Sequence, residues 1–145
     1  MRAVPTIRKK PATLEQRVLR RIERDQDGVF LTSEFKGLGN ADSVLRTLRG
    51  LVGKGKLLKL GTGVYTTARP SRIDGSPVSV IGEEIAVRRA LTKLGVDWME
   101  SRAVVDYNAG RSTQIPVNPV FRVRGRRMPR RLTEYGREVK YELVP

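Results

Sequence analysis

The spacing of apolar residues changes once within the first seventy residues, and this change restricts the possible folds more than any other feature of the chain. Helical spacing comes first. Two short strand-like runs follow, at residues 56–60 and 64–67, joined by a Gly-Thr-Gly turn of hairpin length. The apolar residues at helical spacing are Leu14, Val18, Ile22, Val44, Leu45, Leu48, Leu51 and Val52. The pattern therefore predicts helices followed by a β-hairpin.

Capping residues indicate where three helices begin. Thr13 precedes the first helix, and Gln16 stands at capping-box spacing from it. Thr32 or Ser33 caps a brief second helix, which ends at the two glycines that follow, and Asn40 caps the third. The order helix, helix, helix, hairpin is that of a winged helix-turn-helix.

Composition divides the chain into four parts. Residues 1–12 carry four basic residues and two prolines without periodicity, which predicts a basic arm. Residues 13–68 form the predicted winged helix-turn-helix domain, and residues 69–76, with a proline, a glycine and two serines, form a linker. In residues 77–145 two helical segments precede alternating, strand-like segments, which predicts a small α+β module. The predicted fold class is α+β.

The chain carries a large excess of positive charge. Its 29 Lys and Arg residues against 15 Asp and Glu give a formal charge of +14, which requires a polyanion or counterions. Arg accounts for 21 of the basic residues, and its planar guanidinium suits phosphate and guanine. We therefore expect double-stranded DNA as the partner, with an acidic protein or non-specific nucleic-acid binding as alternatives.

The absence of cysteine and histidine excludes disulfides, thiolate or imidazole metal sites, and catalysis by either side chain. We expect no enzyme, no metal and no cofactor. The alternative is a nuclease-like site, because Glu138 and Lys140 have Glu-x-Lys spacing and Asp97, Glu100 or Asp106 could add a carboxylate. Without an apolar run of about 20 residues or a signal peptide, the sequence predicts a cytoplasmic protein with no membrane partner.

The third helix presents a polar face that suits a recognition helix. On a helical wheel Arg46 lies nearly opposite the apolar stripe, and Gly50 would allow close approach to a duplex. An ordinary solvated helix face is the alternative. The predicted DNA contacts are Asn40, Ser43, Arg46 and Thr47 on this helix, Lys56, Lys59 and Thr62 on the hairpin, and Arg8, Lys9 and Lys10 on the arm.

A dense arginine run near the C-terminus suggests a second basic site. Its predicted members are Arg126, Arg127, Arg130 and Arg131. The two preceding arginines, Arg122 and Arg124, lie on a strand, where binding and cross-strand pairing with Glu138 and Glu142 are equally compatible with the sequence. A homodimer is also compatible with it.

Two segments together resemble a known family. Val29–Tyr65 contains Leu38-Gly39 before the third helix, Leu48 to Leu51 near its end, Gly55-Lys56-Leu57 entering the hairpin and Gly63-Val64-Tyr65 leaving it. This segment resembles the N-terminal winged helix of AbiEi-type antitoxins, and Ser112-Thr113-Gln114-Ile115-Pro116 is similar to a Ser-Thr-Gln-Val-Pro segment of that family.

The resemblance implies a function in two parts. The winged helix of such an antitoxin represses its own operon, and the C-terminal domain counteracts a nucleotidyltransferase-like toxin in a type IV toxin-antitoxin system. We therefore expect a sequence-specific DNA-binding repressor that regulates its own transcription. A protein-interaction module that neutralises a toxin, with DNA binding secondary, is the alternative.

Overall fold

The structure, a computed structural model, describes residues 10–145, so Arg8 and Lys9 of the predicted arm lie outside the described residues. The described chain is α+β. Its helices are α1 (Leu14–Arg24), α2 (Ala41–Gly53), α3 (Glu83–Lys93) and α4 (Arg102–Asn108), with a 3-10 helix at Thr32–Phe35. Its strands are β1 (Val29–Leu31), β2 (Leu57–Gly61), β3 (Val64–Pro70), β4 (Pro77–Ser79), β5 (Trp98–Glu100), β6 (Val120–Arg124), β7 (Thr133–Glu134), β8 (Arg137–Glu138) and β9 (Lys140–Val144). None of the helices in residues 10–145 has the length and apolar character that crossing a membrane requires.

The first sheet has the antiparallel order β1-β3-β2, and β4 pairs with the far end of β3. Because side chains alternate along a strand, each strand contributes to both faces of the sheet. On one face the residues pack with α1 and α2, and on the other they pack with α3. The first face carries Phe30, Leu57 and Tyr65, and the second carries Val29, Leu60 and Val64.

Local signals place α1 and α2 where the sequence predicts them. Thr13 and Gln16 form the capping box of α1, and the Asn40 side chain accepts a hydrogen bond from the Ser43 backbone N–H at 2.9 Å. The apolar stripe of each helix is buried under the sheet: Val18 and Ile22 in α1, and Val44, Leu48 and Leu51 in α2.

The second predicted helix is a single 3-10 turn, which corrects the expectation of a helix reaching the glycines at 37 and 39. Lys36 adopts an extended backbone after it, and Gly37 has a φ of 89°, a left-handed conformation that ends a right-handed helix. The turn is fixed at its start, because the Glu34 carboxylate accepts the Leu31 backbone N–H at 2.7 Å.

The remaining elements form a second layer on α3. β5, β6 and β9 make a three-stranded sheet in which β6 and β9 run parallel, and β7 and β8 form a short hairpin. The buried side of α3 packs against Phe121, Leu132 and Val139 and against the first sheet. The two parts predicted at 13–68 and 77–145 therefore share one of the two hydrophobic core clusters, and the other lies within residues 14–65. Residues 69–76, predicted as a linker, comprise the end of β3 and the turn into β4.

Lys93 on α3 joins this layer to the N-terminal elements. Its ammonium lies 2.9 Å from a Glu34 carboxylate oxygen and 3.4 Å from one of Asp27, and it donates to the Val29 carbonyl at 2.6 Å. Burial lowers the pKa of Lys93, but the hydrogen bond and charge of Glu34, with Asp25 and Asp27, outweigh it and leave the pKa raised. The ammonium therefore stays charged at neutral pH.

Candidate nucleic-acid interface

The exposed face of α2 carries the four residues predicted to contact DNA, in two different environments. Asn40 and Arg46 are exposed, whereas Ser43 and Thr47 are half-buried. The Asn40 side-chain oxygen is engaged as the helix cap, and the Thr47 hydroxyl donates to the Ser43 carbonyl at 2.9 Å. Arg46 has no ion pair among residues 10–145. Among these four residues its guanidinium therefore has the most donors available to a ligand.

Arg49 lies on the same outward face of α2 and is exposed, although it is not among the predicted DNA contacts. Burial raises the pKa of the Tyr65 phenol, and the positive charge of Arg49 partly offsets this, so the guanidinium lies near the phenol. Tyr65 on β3 stands opposite Lys59 on β2. Tyr65 is therefore the cross-strand neighbour of Lys59 and is within electrostatic reach of Arg49 on α2. The sequence signal for Arg49 is its position three residues after Arg46, which places both side chains on the same side of the helix.

The tip of the β2–β3 hairpin is covered on one side by the C-terminal part of the chain. Thr62 is exposed, but its carbonyl accepts a hydrogen bond from Arg130 Nη1 at 3.2 Å. The Thr133 hydroxyl donates to the Leu60 carbonyl at 3.3 Å. A Cβ added at Gly61 would lie 2.2 Å from the Arg131 carbonyl oxygen, so only glycine permits this approach.

The predicted second basic site thus adjoins the hairpin. Lys59 and Thr62 line one shallow depression together with Arg131. Arg126, Arg127 and Arg130 are exposed and form no ion pair within the described residues. Arg131 pairs with Glu138 at 3.2 Å, yet its side chain remains 89% exposed. The two sites predicted separately are therefore neighbours.

These basic residues lie on α2, the hairpin and the arginine run, and two of them have a carboxylate nearby: Arg131 pairs with Glu138, and Lys54 together with the charge of Lys56 lowers the pKa of Glu15. We define the basic surface as Arg46 and Arg49 on α2, Lys56 and Lys59 at the hairpin, and Arg126, Arg127, Arg130 and Arg131. Across α2, β2, β3, the turn between the two strands and residues 124–133, the one carboxylate is Asp42. Lys10, the one described member of the three predicted arm contacts, is exposed before α1.

The cross-strand pairing considered for the arginines of β6 differs from the observed contacts. Arg122 stands opposite Glu142, but its Nε donates to the Glu100 carbonyl at 2.9 Å, and Arg124 stands opposite Val144. Pairing with Glu138 is wrong because that residue lies in β8, outside the sheet that contains β6.

Three of the four carboxylates considered for a nuclease-like site, all but Asp97, are engaged by basic side chains. Arg88 binds both carboxylate oxygens of Glu100, and Arg111 binds Asp106 at 3.1 Å. A hydrogen bond from Lys140, together with its charge and that of Arg131, lowers the pKa of Glu138. No three His, Cys, Asp or Glu side chains of residues 10–145 are grouped so that they could hold a metal ion.

No protein-family model, curated protein or solved structure matches the chain. The resemblance to AbiEi-type antitoxins therefore stays a prediction. What the chain binds has to be inferred from the charge and geometry of its own surface.

Gly50 provides a first test of the α2 face. It is exposed within the helix, and a Cβ there would meet nothing within 4 Å, so Gly50→Ala should raise the free energy of unfolding by about 0.5–1 kcal/mol. If α2 lies against DNA, the same change should weaken duplex binding because the methyl group separates the two. Urea unfolding and DNA titration measure the two effects, with Gly53→Ala at the helix end as the control. A stabilised variant that binds duplex as the parent does would contradict close approach at Gly50.

Proposed function

We propose that the protein is a sequence-specific double-stranded DNA-binding repressor in which α2 is the recognition helix. The single observation that carries this is the basic face of α2, on which Arg46 and Arg49 are exposed and form no ion pair within residues 10–145. The element order supports it, because helix, strand, short helix, helix and hairpin on a β1-β3-β2 sheet is the arrangement expected of a winged helix-turn-helix.

The chemistry of the α2 face fits the major groove, which admits an α-helix. The Arg46 guanidinium can donate two parallel hydrogen bonds to guanine O6 and N7, the commonest specific contact of arginine in that groove. Ser43 lies one turn earlier at the helix N-terminus, where backbone N–H groups favour phosphate. Lys56 and Lys59 suit contacts with the sugar-phosphate backbone, which fix register without reading sequence. The arm residues Arg8, Lys9 and Lys10 remain proposed backbone contacts.

A repressor that controls its own transcription in the cytoplasm, as in an antitoxin, is the role we propose for this activity. The C-terminal part supplies a specific reason to keep toxin binding as the second candidate. Around α4 and the segment that follows it, Val105, Tyr107, Ile115 and Val117 are exposed. Exposed apolar side chains of this kind are candidates for a protein-interaction surface. Ile115 also lies within the Ser-Thr-Gln-Ile-Pro segment on which the family resemblance depends.

Selection of bound fragments from the protein's own genomic or plasmid DNA tests the primary proposal. The full chain should enrich a discrete duplex, its operator, over random duplex. An unchanged fragment pool would contradict sequence-specific binding.

Arg46→Ala then tests the recognition helix. The side chain is exposed and unpaired within residues 10–145, so the free energy of unfolding should barely change. Loss of a bidentate base contact should cost about 1–3 kcal/mol on the operator and much less on random duplex. Competition titrations with both DNAs measure the difference.

Arg102→Ala is the matched control, because Arg102 is an exposed helical arginine on α4, beside the other sheet. It should leave both affinities close to the parent values. If Arg46→Ala also behaves as the parent on both DNAs, α2 is not the recognition helix.

A further inference from the structure

We propose that the arginine loop, residues 124–131, is a second DNA-contacting element. It contacts the phosphate backbone in place of the tip of the β2–β3 hairpin. This inference rests on the proposed function, since it assumes a duplex bound at α2. It assigns the backbone contact on this flank to the C-terminal part of the chain and not to Thr62.

The first step is that the end of the loop is attached to the hairpin in two ways. Side chains at and just after this end donate hydrogen bonds to hairpin carbonyls, and the residue directly after the loop is buried in the core. The side chain of Leu132, directly after the loop, is fully buried with Leu60 and Val139. The Leu60 and Thr62 carbonyls accept hydrogen bonds from Thr133 and Arg130. The C-terminal end of the loop is therefore held in place beside β2.

The second step concerns the hairpin tip itself, which is fixed from two sides. The Thr32 backbone N–H donates to the Gly63 carbonyl at 3.0 Å. Gly63 has a φ of +72°, and a Cβ there would lie 3.2 Å from Arg130 Nη1 and 3.3 Å from the Thr32 hydroxyl. Thr32 and Arg130 therefore occupy the part of the tip around Gly63 and the Thr62 carbonyl, and the Arg130 guanidinium is placed beside the exposed Thr62.

The third step is charge. The loop and the two residues after it carry five arginines and no carboxylate: Arg124, Arg126, Arg127, Arg130 and Arg131. Arg131 is the one member with an ion pair among the described residues, and at 89% exposure its pairing with Glu138 is well solvated. Arginine donates in a planar fork that matches phosphate, so exposed guanidiniums here suit a phosphodiester backbone.

The fourth step is position relative to α2. Lys59 and Arg131 line the same depression, and Lys59 in turn stands opposite Tyr65, beside Arg49 of α2. Basic side chains therefore occur on the recognition helix, on the neighbouring hairpin and at the end of the loop that contacts this hairpin. A duplex seated on α2 would present its phosphates to this flank, and contacts with phosphates carry no direct sequence information.

The test is a double substitution in the loop. The plot of log affinity against log salt has a negative slope. R126Q combined with R127Q should make this slope shallower by about 2, because each lost phosphate contact removes about 0.9 from its magnitude. Operator and random duplex should be weakened by the same factor, so the ratio between them should stay at the parent value. Both side chains are exposed, so the fold should be retained, which urea unfolding checks.

Two further variants separate this inference from its rivals. R102Q with R111Q removes the same charge near α4 and should leave the slope nearly unchanged, so an equal loss there would mean a general charge effect and overturn the loop contact. Thr62→Ala removes only a side chain of the hairpin tip and should bind as the parent does. If Thr62→Ala weakens binding and the loop double variant does not, the tip and not the loop grips the backbone.

Arg46→Ala distinguishes the failure of this inference from failure of the proposed function. A parent-like slope in the loop variant, with operator binding still sensitive to Arg46→Ala, overturns the loop contact and leaves the recognition helix intact. Parent-like binding in both variants overturns both. A slope made shallower by about 2 with an unchanged ratio supports the arginine loop as a phosphate contact.

Discussion

Raising the salt concentration from about 50 mM to 200 mM should weaken duplex binding by roughly three to five orders of magnitude, the range for six to ten phosphate contacts. The basic surface supplies eight side chains, and all but Arg131 lack an ion pair within residues 10–145. Each contact releases condensed counterions from the DNA, and this release becomes less favourable as salt rises. Fluorescence anisotropy with a labelled duplex at four or more salt concentrations measures the slope.

Single-stranded DNA of the same length is the control for this experiment. Binding to single strands depends strongly on aromatic side chains that stack on bases. Among the described residues the large exposed aromatic side chains are Tyr107 and Tyr135, and neither lies on the basic surface. Single strands should therefore bind more weakly with a shallower slope. A slope near zero for duplex would contradict DNA binding, and equal affinity for single strands would favour a general polyanion-binding protein.

Local signals allowed the sequence to predict α1, α2 and the hairpin. Capping by Thr13 and Asn40 depends on residues three positions away, and the glycine turn of the hairpin depends on adjacent residues. Such features are encoded within one turn or one hairpin, where periodicity and capping are informative. The basic face of α2 was predictable for the same reason, because a helical wheel requires no tertiary contact.

Contacts between distant segments could not be predicted in this way. Arg130 and Thr62 are 68 residues apart in sequence, and nothing local to either indicates that they meet. The parallel pairing of β6 with β9 likewise depends on how both strands pack against α3. The sequence therefore predicted two separate basic sites, and their adjacency emerged only with the fold.

Leu132→Ala should lower the free energy of unfolding by about 2–5 kcal/mol, the range for truncating a fully buried leucine. Leu132 is 0% exposed and packs in the core cluster with Leu60, Val87 and Val139, so truncation leaves a cavity between the hairpin and α3. The loss should be large because the surrounding elements come from both halves of the chain and have little freedom to collapse into that cavity. Urea unfolding of the full chain measures it.

Met128→Ala is the matched control within the same loop, because Met128 is 64% exposed and its truncation should change stability by less than about 0.5 kcal/mol. Comparison of the two variants tests whether residue 132 anchors the arginine loop. If Leu132→Ala costs no more than Met128→Ala, the loop is not docked on the hairpin. If it costs several kcal/mol and the variant, while still folded, also binds duplex with a shallower salt slope, then the burial of one leucine positions the arginines that hold the DNA backbone.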